Sequence, residues 1–356
     1  MPAMDDVLRI LEANRGAPVS GEEMAAELGL SRAAVWKAVS GLKDRGFRIA
    51  AGPNRGYALV SDGNALHPVT VRRHLKTGET IDLRYSAETG STNDLVREAA
   101  GRGEAEGLVC FANAQTAGKG RLGRAFLAPP GTGVYMSLLL RPKLPAAEAA
   151  AITGIAAVAV AGAIEDLGGG PAEIKWVNDI WIRGKKVCGI LTEAGMDMES
   201  AYLEYAVLGI GVNAFSPPGG FPPALREIAG AVFPGAPEDD ERSRLIAAFL
   251  DRFFPLYRAL PDRGWLEEYR RRSLLTGKEV RFTRNGGELR GLVLGVDDSA
   301  RLLVRLPDGS ETALGSGEVN LVRPLDSDQA PSPRELSAKR TEGAFSVRNS
   351  PGEAER

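Results

Sequence analysis

The chain has 356 residues, and its 44 Lys and Arg against 46 Asp and Glu give a formal net charge of −2 at pH 7. This length predicts two or three domains, and so small a charge gives no global attraction to nucleic acid or anionic membranes. We identify no apolar run of the ~20 residues that a bilayer-spanning helix needs, and no basic signal-peptide start, so the sequence predicts a cytoplasmic protein without membrane contact.

The few cysteines and histidines limit the chemistry. Cys110 and Cys188 both lie inside apolar runs, which predicts reduced core residues. Because His67 and His74 are the only histidines, a His-rich zinc site is excluded and a Ser-His-Asp triad is disfavoured. The chemistry must therefore rely on cations, carboxylates, backbone groups or a bound metal ion.

Residues 1–62 have the element order helix, helix, turn, helix, hairpin, which is typical of a winged helix-turn-helix. A capping box, Ser20–Glu23, begins the second helix, and Ser31 caps the third. The third helix turns a predicted apolar face inward, formed by Val35, Ala38, Val39 and Leu42. A Gly-Pro-Asn-Arg-Gly tip, Gly52–Gly56, joins the two strands of the hairpin.

The outward face of the third helix and the hairpin tip are locally basic, which favours DNA binding over a small helical protein-interaction domain, the alternative. The helix would enter a groove while the tip contacts flanking phosphates. The predicted DNA-binding residues are Arg32, Ala33, Trp36, Lys37, Ser40 and Arg55.

The middle segment, about 66–272, mixes helices and strands. Ser91 and Thr92 are predicted to cap a helix, and a long Ala-rich helix is predicted over roughly Ala146–Leu167. The β-runs EIKWVNDIWI and KKVCGILTEA are joined by Arg183-Gly184, a tight hairpin signal. YLEYAVLGIGVNAF is a further buried strand, and two helices follow near 238–260 and 262–272.

The last part of the chain divides at about residue 325. Residues 274–325 contain short strands separated by regular turn signals, which predicts a small barrel. Residues 326–356 are polar and lack periodicity, which predicts a disordered tail.

The stretch QTAGKGRLGR, Gln115–Arg124, contains the spacing G-x-G-x-x-G of a dinucleotide-binding turn. The helix that such a turn must open is missing, because Pro129, Pro130 and two glycines follow. Its three cations and flexible glycines leave two interpretations open, namely a mobile loop that closes over anions or an ordinary exposed basic loop.

Three other clusters carry polar groups at unusual places. GSTN, Gly90–Asn93, presents hydroxyls at a helix N-terminus, although a plain N-cap is the better explanation of this motif taken alone. KWVND, Lys175–Asp179, puts charged groups beside a buried strand, where they are costly unless paired or used. KKVCGIL places Lys186 at the start of an apolar strand, and its alternative explanation is an edge-strand lysine that discourages aggregation.

These four motifs, in this order and at these intervals, resemble those of the biotin–protein ligases. Over about residues 5–323 the chain resembles the bifunctional bacterial type, which is both ligase and biotin-operon repressor. The resemblance implies a multidomain α+β fold with an N-terminal winged helix-turn-helix (1–62), a central α/β catalytic domain (66–272) and a C-terminal SH3-like β-barrel (274–325).

The resemblance also implies a reaction and its partners. Biotin and ATP give biotinyl-5′-adenylate. Mg²⁺ is expected to bind through the substrate phosphates, and the sequence does not identify its protein ligands. Biotin then passes to a lysine of the biotin carboxyl carrier protein of acetyl-CoA carboxylase. Operator DNA and a homodimer formed when the adenylate is bound complete the implied partners.

Site residues follow from the same resemblance, position by position. The implied catalytic residues are Arg121, Asp179 and Lys186. Biotin is assigned to Ser91, Thr92, Asn93, Gln115, Gly118, Lys119, Arg121, Lys186 and Gly189. ATP and the adenylate are assigned to Lys119, Arg121, Arg124, Phe126, Lys175, Asn178, Asp179 and Asn213.

The chain departs from the family pattern at three positions. Lys119 stands where many members have arginine, Val177 replaces the commoner proline, and Phe126 replaces a tryptophan found in some members. The alternatives are a lipoate–protein ligase of the same fold, a ligand-sensing transcription factor without ligase activity, and a DNA-acting enzyme, which the near-neutral middle segment disfavours.

Overall fold

The computed structural model of the chain describes residues 2–52, 55–197, 199–284 and 286–322. Its helices are α1 (Pro2–Ala13), α2 (Gly21–Leu28), α3 (Arg32–Asp44), α4 (Pro68–His74), α5 (Thr92–Gly101), α6 (Ala150–Asp166), α7 (Pro223–Arg226), α8 (Glu241–Arg258) and α9 (Trp265–Arg271). Two predicted features, the centre of the hairpin tip at 53–54 and the tail 326–356, lie outside the described residues.

The strands form three sheets. They are β1 (Arg48–Gly52), β2 (Gly56–Ser61), β3 (Asp82–Thr89), β4 (Leu108–Gln115), β5 (Gly133–Leu140), β6 (Glu173–Lys175), β7 (Asp179–Ile182), β8 (Lys185–Met196), β9 (Leu203–Asn213), β10 (Glu279–Arg284), β11 (Gly287–Val296), β12 (Leu302–Arg305), β13 (Glu311–Leu314) and β14 (Val319–Leu321). Strands β1 and β2 are the wing hairpin.

The N-terminal domain folds as its sequence predicts. The capping box at Ser20 is present, and the Ser31 hydroxyl accepts a hydrogen bond from the N–H of Ala34. The predicted apolar face of α3 is buried in a core formed mainly by this domain, against which Val69 of α4 also packs. The burial of that face against α1 and α2 holds the opposite face of α3 towards solvent.

The middle domain is built on a seven-stranded sheet with the strand order β3-β4-β5-β9-β8-β7-β6. Only β3 and β4 pair in parallel; the other neighbours in this sheet are antiparallel. Helix α5 packs on one face and α6, supported by α8 and α9, on the other. Strand β5 is buried along its whole length because both faces of the sheet are covered.

Helix α6 corrects one expectation. The segment Ala146–Asp166 has 21 residues and contains an apolar window with a mean hydropathy of 1.8, so by length and composition it is apolar enough to cross a membrane. However, 78% of its apolar window is buried against the sheet and α8, so it is a core helix of this domain. The α-helix itself begins at Ala150, because residues Ala146–Glu148 form a separate 3-10 turn.

A second correction concerns the run EIKWVNDIWI. It is two strands, since residues 176–178 form a turn that pairs Lys175 with Asp179. The next hairpin is as predicted: Arg183 and Gly184 have φ values of 50° and 72°, and positive values at both turn positions match the twist of the flanking strands.

The C-terminal domain is a five-stranded antiparallel sheet with the order β13-β12-β11-β10-β14. Strands β10 to β13 coincide with the runs KEVRFTR, GELRGLVLGVD, RLLVRLP and ETALG, for which the sequence predicts strands. In contrast β14, like β3, α4 and α7 earlier in the chain, was not predicted. Its core is continuous with that of the middle domain. The indole Nε1 of Trp176 also donates to the carbonyl of Ala300 at 3.0 Å, which joins the two domains beside the turn at 176–178.

The N-terminal domain contacts the middle domain through charged groups. Arg73 of α4 lies 2.6 Å from Glu12 and 2.9 Å from the fully buried Asp62, and it also pairs with Asp240 at the start of α8. Arg15 makes a further pair with Asp62. Burial, followed by the neighbouring Glu12 charge, raises the pKa of Asp62 to about 6, despite the two arginines. The interface therefore combines this ionic cluster with packing of Val69 of α4 on the N-terminal core and an edge contact between Phe47 and His67.

Candidate active site

The four motifs predicted from the sequence meet at one cavity of about 340 Å³, bounded by the middle sheet, the basic loop and the edge of the C-terminal domain. Of the predicted ligand-binding and catalytic residues, those that line it are Ser91, Thr92, Asn93, Gln115, Lys119, Arg121, Arg124, Phe126, Lys175, Asn178, Asp179, Lys186, Gly189 and Asn213. Gly118 does not line the cavity.

The start of α5 provides one polar wall. Ser91 occupies the N-cap position, but its side chain makes no capping hydrogen bond, contrary to the expectation that it caps the helix through its hydroxyl. Both N–H and hydroxyl of Thr92 contact Gln115 Oε1, at 2.7 and 3.1 Å. The first turn of α5 is thus stabilised by Gln115, and the Ser91 hydroxyl is left to the cavity.

Asn93 is differently engaged. Its Nδ2 donates to Glu193 Oε2 at 2.6 Å and its Oδ1 accepts from Ser137 Oγ at 2.6 Å. A Cβ on Gly209 would come within 2.1 Å of this Oδ1, so the strand needs glycine there. Both amide atoms of Asn93 are therefore used inside the protein, although the residue borders the cavity.

The basic loop contains a single 3-10 turn, Arg121–Gly123, and no α-helix follows it, in agreement with the rejection of a dinucleotide fold. Leu122 at its tip has a φ of 55° and is 75% exposed. Gly118 is required by close approach, since a Cβ there would lie 2.4 Å from the carbonyl oxygen of Phe126.

Each cation of the loop has a partner on a different element. Lys119 pairs with Asp94 of α5 at 2.5 Å, and Arg124 pairs with Glu318 of the C-terminal domain at 2.5 Å. Arg121 donates to Asn178 Oδ1 at 3.0 Å and to the carbonyl of Gly317 at 3.3 Å.

These contacts shift the titration of the carboxyl partners. The hydrogen bond from Arg124 lowers the pKa of Glu318. Burial raises the pKa of Asp94, but the hydrogen bonds from Lys119 and Arg97 outweigh it, and the net pKa is lowered. Both carboxyl groups therefore stay charged near neutral pH and hold the loop cations.

Two further lysines face Asp179 at the opposite wall. Lys186 Nζ lies 2.6 Å from Asp179 Oδ1, at the start of β8. Lys175 is half-buried with its Nζ 5.6 Å from the centre of the Trp181 ring, and burial lowers its pKa in spite of the attraction of Asp179. Asn178 is fixed by a hydrogen bond from its Nδ2 to the carbonyl of Ile190 at 2.7 Å.

Phe126 closes the cavity between two glycines of the sheet. A Cβ on Gly211 would lie 2.6 Å from its ring and one on Gly189 3.6 Å from it. The ring also meets Tyr135 edge to face, with 6.3 Å between centroids. Asn213 borders the same region and donates to the carbonyl of Gly230 at 3.1 Å.

A large part of the cavity lining lies outside the motifs that the sequence reveals. The additional wall residues include Trp176, Trp181, Phe221, Ile228 and the segment 317–320 of the C-terminal domain. One signal was present in the sequence: the alternating glycines of GIG in a buried strand mark close approach by another group, here Asn93 and Phe126.

The predicted DNA-binding surface is a separate feature. Arg32, Ala33, Trp36 and Lys37 are exposed along one face of α3, Ser40 is half-buried beside them, and Arg55 is exposed on the wing. Trp36 is 63% exposed, which leaves a large aromatic ring in solvent.

The cavity can therefore hold an anion among five cations while its polar wall offers hydroxyl and amide groups to a neutral ring. Within the described residues no group of three or more His, Cys, Asp or Glu side chains forms a metal site. Cys110 and Cys188 are buried free thiols, as predicted, and burial raises the pKa of Cys110 to about 11.

Three family profiles match the chain in the order of its domains. They are "HTH domain" at residues 4–58, "Biotin/lipoate A/B protein ligase family" at 85–213 and "Biotin protein ligase C terminal domain" at 275–322.

Similar proteins span most of the chain. The "Bifunctional ligase/repressor BirA" of Bacillus subtilis (strain 168) is 35% identical over 312 residues, 85% of this chain and 94% of that protein. The "Biotin--[acetyl-CoA-carboxylase] ligase" of Mycobacterium tuberculosis is 31% identical over 243 residues, 67% of this chain and 88% of that protein. A solved structure, "Biotin protein ligase from Aquifex aeolicus in complex with biotin and ATP", aligns with a TM-score of 0.58 at 25% identity, covering 68% of this chain and 99% of that one.

Proposed function

This chain belongs to the biotin–protein ligase family, and from that premise we propose that its central cavity forms biotinyl-5′-adenylate and then transfers biotin to a carrier-protein lysine. The chain is an ATP-dependent biotin–protein ligase and a biotin-responsive transcriptional repressor. The observation that carries the assignment of the site is the meeting of the four motifs around one cavity with cations on opposite walls.

In the first step a biotin carboxylate oxygen attacks the α-phosphorus of ATP. The new bond is C(O)–O–Pα, the Pα–O–Pβ bond breaks, and pyrophosphate leaves. Both reactants are anions, so fixed cations at the meeting point lower the barrier. We assign this role to Arg121 and Lys186, with Lys119, Lys175 and Arg124 holding the remaining phosphate charge.

In the second step the acceptor lysine attacks the acyl carbon of the adenylate. The ammonium group of that lysine first gives a proton to solvent, and the neutral amine then attacks. The N–C bond forms, the bond from the acyl carbon to the phosphate oxygen breaks, AMP leaves, and the nitrogen gives its second proton to solvent. Asp179 is the carboxylate that we assign to the incoming ammonium group, which first takes the place of Lys186 beside it.

The ring-binding half of the cavity is assigned to Ser91, Thr92, Gln115 and Gly189, and Asn93 supports it from behind. Phe126 and Asn213 lie where the adenine is assigned. The Gly118 backbone position shapes the loop.

The donor set fits a magnesium ion that is held chiefly by substrate phosphates, since Mg²⁺ in such sites takes one or two carboxylates and keeps several waters. Asp179 and Glu318 are carboxylates that border the cavity. A bound Mg²⁺ would neutralise charge on the pyrophosphate leaving group.

Carrier transfer and DNA binding are the two uses of the adenylate. The carrier is the biotin carboxyl carrier protein of acetyl-CoA carboxylase. We propose that the adenylate-bound chain forms a homodimer that places two α3 helices on a palindromic operator, because one winged helix buries too little surface for tight specific binding. ATP, carrier and DNA meet in the cytoplasm, which is the compartment that this dual role requires.

The test is ATP–pyrophosphate exchange by the purified protein, with biotin and with lipoate, followed by biotin incorporation into a carrier domain. We expect exchange with biotin and none with lipoate. Exchange with lipoate alone would assign the chain to the lipoate branch, and exchange with neither would refute the proposed site. For the repressor, operator DNA affinity is measured with and without biotin plus ATP; equal affinities would refute the ligand response.

A further inference from the structure

A chain of side-chain hydrogen bonds runs from the cavity wall to the surface through the middle sheet. Thr92 Oγ1 lies 2.7 Å from Ser137 Oγ, Ser137 Oγ lies 2.6 Å from Asn93 Oδ1, and Asn93 Nδ2 lies 2.6 Å from Glu193 Oε2. The first three side chains are at most 4% exposed. Thr92 borders the cavity, whereas Ser137 and Glu193 do not.

The outer end of this chain fixes the orientation of the Asn93 amide. Glu193 pairs with Arg97 at 2.6 Å, and a carboxylate only accepts hydrogen bonds. The amide nitrogen of Asn93 must therefore face Glu193, which turns its oxygen towards Ser137. The absence of a Cβ at Gly209 leaves room for this oxygen.

The direction of the remaining bonds follows from proton counting. A hydroxyl has one proton, and Ser137 gives its proton to Asn93 Oδ1, so towards Thr92 it is an acceptor. Thr92 must then donate across the 2.7 Å contact, since otherwise two lone pairs would face each other there. The other protein oxygen near this hydroxyl, Gln115 Oε1, is farther away at 3.1 Å and already accepts from the Thr92 N–H.

Thr92 therefore presents lone pairs, and no proton, to the cavity. Its complement is a ligand N–H group. A ring with a ureido group, as in biotin, carries two N–H donors, whereas the dithiolane ring of lipoate carries none. A polar wall built to accept a hydrogen bond rejects a ligand that lacks the donor, because the buried oxygen is then left unpaired.

We propose that Ser137, oriented by Asn93 and Glu193, is a positioning residue that holds the Thr92 hydroxyl as an acceptor and so selects a ring bearing N–H groups. This rests on the proposed function, in which that ring is biotin. In a Ser137→Ala variant the Thr92 proton keeps only its longer contact with Gln115, so the hydroxyl is held less firmly in the orientation that accepts from the ligand N–H.

The test is steady-state ATP–pyrophosphate exchange by the full chain, with biotin and with its two mono-N-methyl ureido derivatives as probes. We expect Ser137→Ala to raise the KM for biotin about ten-fold, while the KM for ATP and kcat stay within about two-fold. For the derivative that lacks the N–H facing Thr92, the wild type binds poorly and Ser137→Ala changes the KM by less than about two-fold.

Ser243→Ala is the matched control, because Ser243 is equally buried and its hydroxyl pairs with Thr70 Oγ1 at 3.1 Å, away from the cavity. It should leave the KM for biotin unchanged. An unchanged KM in Ser137→Ala, or the same rise for biotin and for both derivatives, overturns the proposal.

A second variant tests the positioning role of Ser137 if Ser137→Ala does not fold. Glu193→Gln replaces an obligate acceptor at a partly exposed position by an amide that accepts or donates, so Asn93 loses its single orientation. We expect the KM for biotin to rise about three-fold. The KM for the derivative that lacks the N–H facing Thr92 should not rise. Unchanged discrimination overturns the proposal, whereas absence of biotin-dependent exchange in the wild type overturns the proposed function instead.

Discussion

Lys186 offers the sharpest test of the proposed chemistry. Its Nζ lies 2.6 Å from Asp179 Oδ1, and its side chain is 31% exposed. Two unit charges 4 Å apart interact by about 4 kcal/mol at an effective dielectric constant of 20. Solvent and the competing Asp179 carboxylate reduce this to roughly 3 kcal/mol, so Lys186→Ala should slow adenylate formation by about 10²-fold.

The structure supplies matched controls for this variant. The backbone of Lys186 is held on both sides by Ile228 and Gly230, so truncation of the side chain should leave the fold intact. The neighbouring Lys185 donates to the carbonyls of Arg226 and Glu227 outside the cavity, and Lys185→Ala should retain the wild-type rate.

Asp179, the partner of Lys186, allows the sign of the electrostatic effect on adenylate formation to be tested. Without the lysine, the Asp179 carboxylate adds repulsion to the incoming phosphate, so Lys186→Ala/Asp179→Asn should form adenylate faster than Lys186→Ala alone. Single-turnover pyrophosphate release, with thermal melting as the check on folding, measures all four proteins. A folded Lys186→Ala variant that releases pyrophosphate within about three-fold of the wild-type rate would refute the reasoning.

Three other predictions concern the loop, the DNA surface and the domain interface. Arg121→Gly leaves the other cations in place but removes the contacts with Asn178 and Gly317, so adenylate should form and then leak; an unchanged dissociation rate of labelled adenylate contradicts this. Arg32→Ala and Lys37→Ala should each weaken operator binding and make its salt dependence shallower by about one unit of slope; a retained slope shows that they do not touch phosphate. The raised pKa of Asp62, from 3.8 to about 6, means that the folded protein keeps a proton that the unfolded chain has lost. Wild type should therefore lose stability relative to Asp62→Asn as pH rises from about 4 to 6, and a constant difference in urea unfolding over that range would exclude the effect.

Local rules predicted the features that depend on short spacing. The buried face of α3 follows from apolar residues three and four apart, and the Arg183-Gly184 turn follows from the glycine that its positive φ requires. Helix α6 is uniformly apolar because it is covered by both the sheet and α8, and length or composition alone does not separate such a helix from a membrane span.

The cavity was predicted only where its residues lie in compact motifs. Gly317–Asn320 joins the wall through the packing of a separate domain, which no local pattern encodes. Ser137 was missed because a serine in an apolar strand carries no signal until Asn93 and Thr92 are placed beside it. Conversely, Asn93 belongs to a motif that predicts ligand contact, yet its amide is used inside the protein.

The loop cations show why separate segments must fold before the site is complete. Lys119 is held by Asp94 of α5, and Arg124 is held by Glu318 of the C-terminal domain. Arg121 is held by Asn178, in the turn after β6, and by Gly317 of the C-terminal domain. Each contact is at least partly exposed, and exposed ion pairs contribute about 0–1 kcal/mol. A phosphate can therefore replace any one partner at little cost, while all of the contacts together place the loop over the cavity. Because the partners lie on different elements, the position of the loop depends on the packing of the two domains.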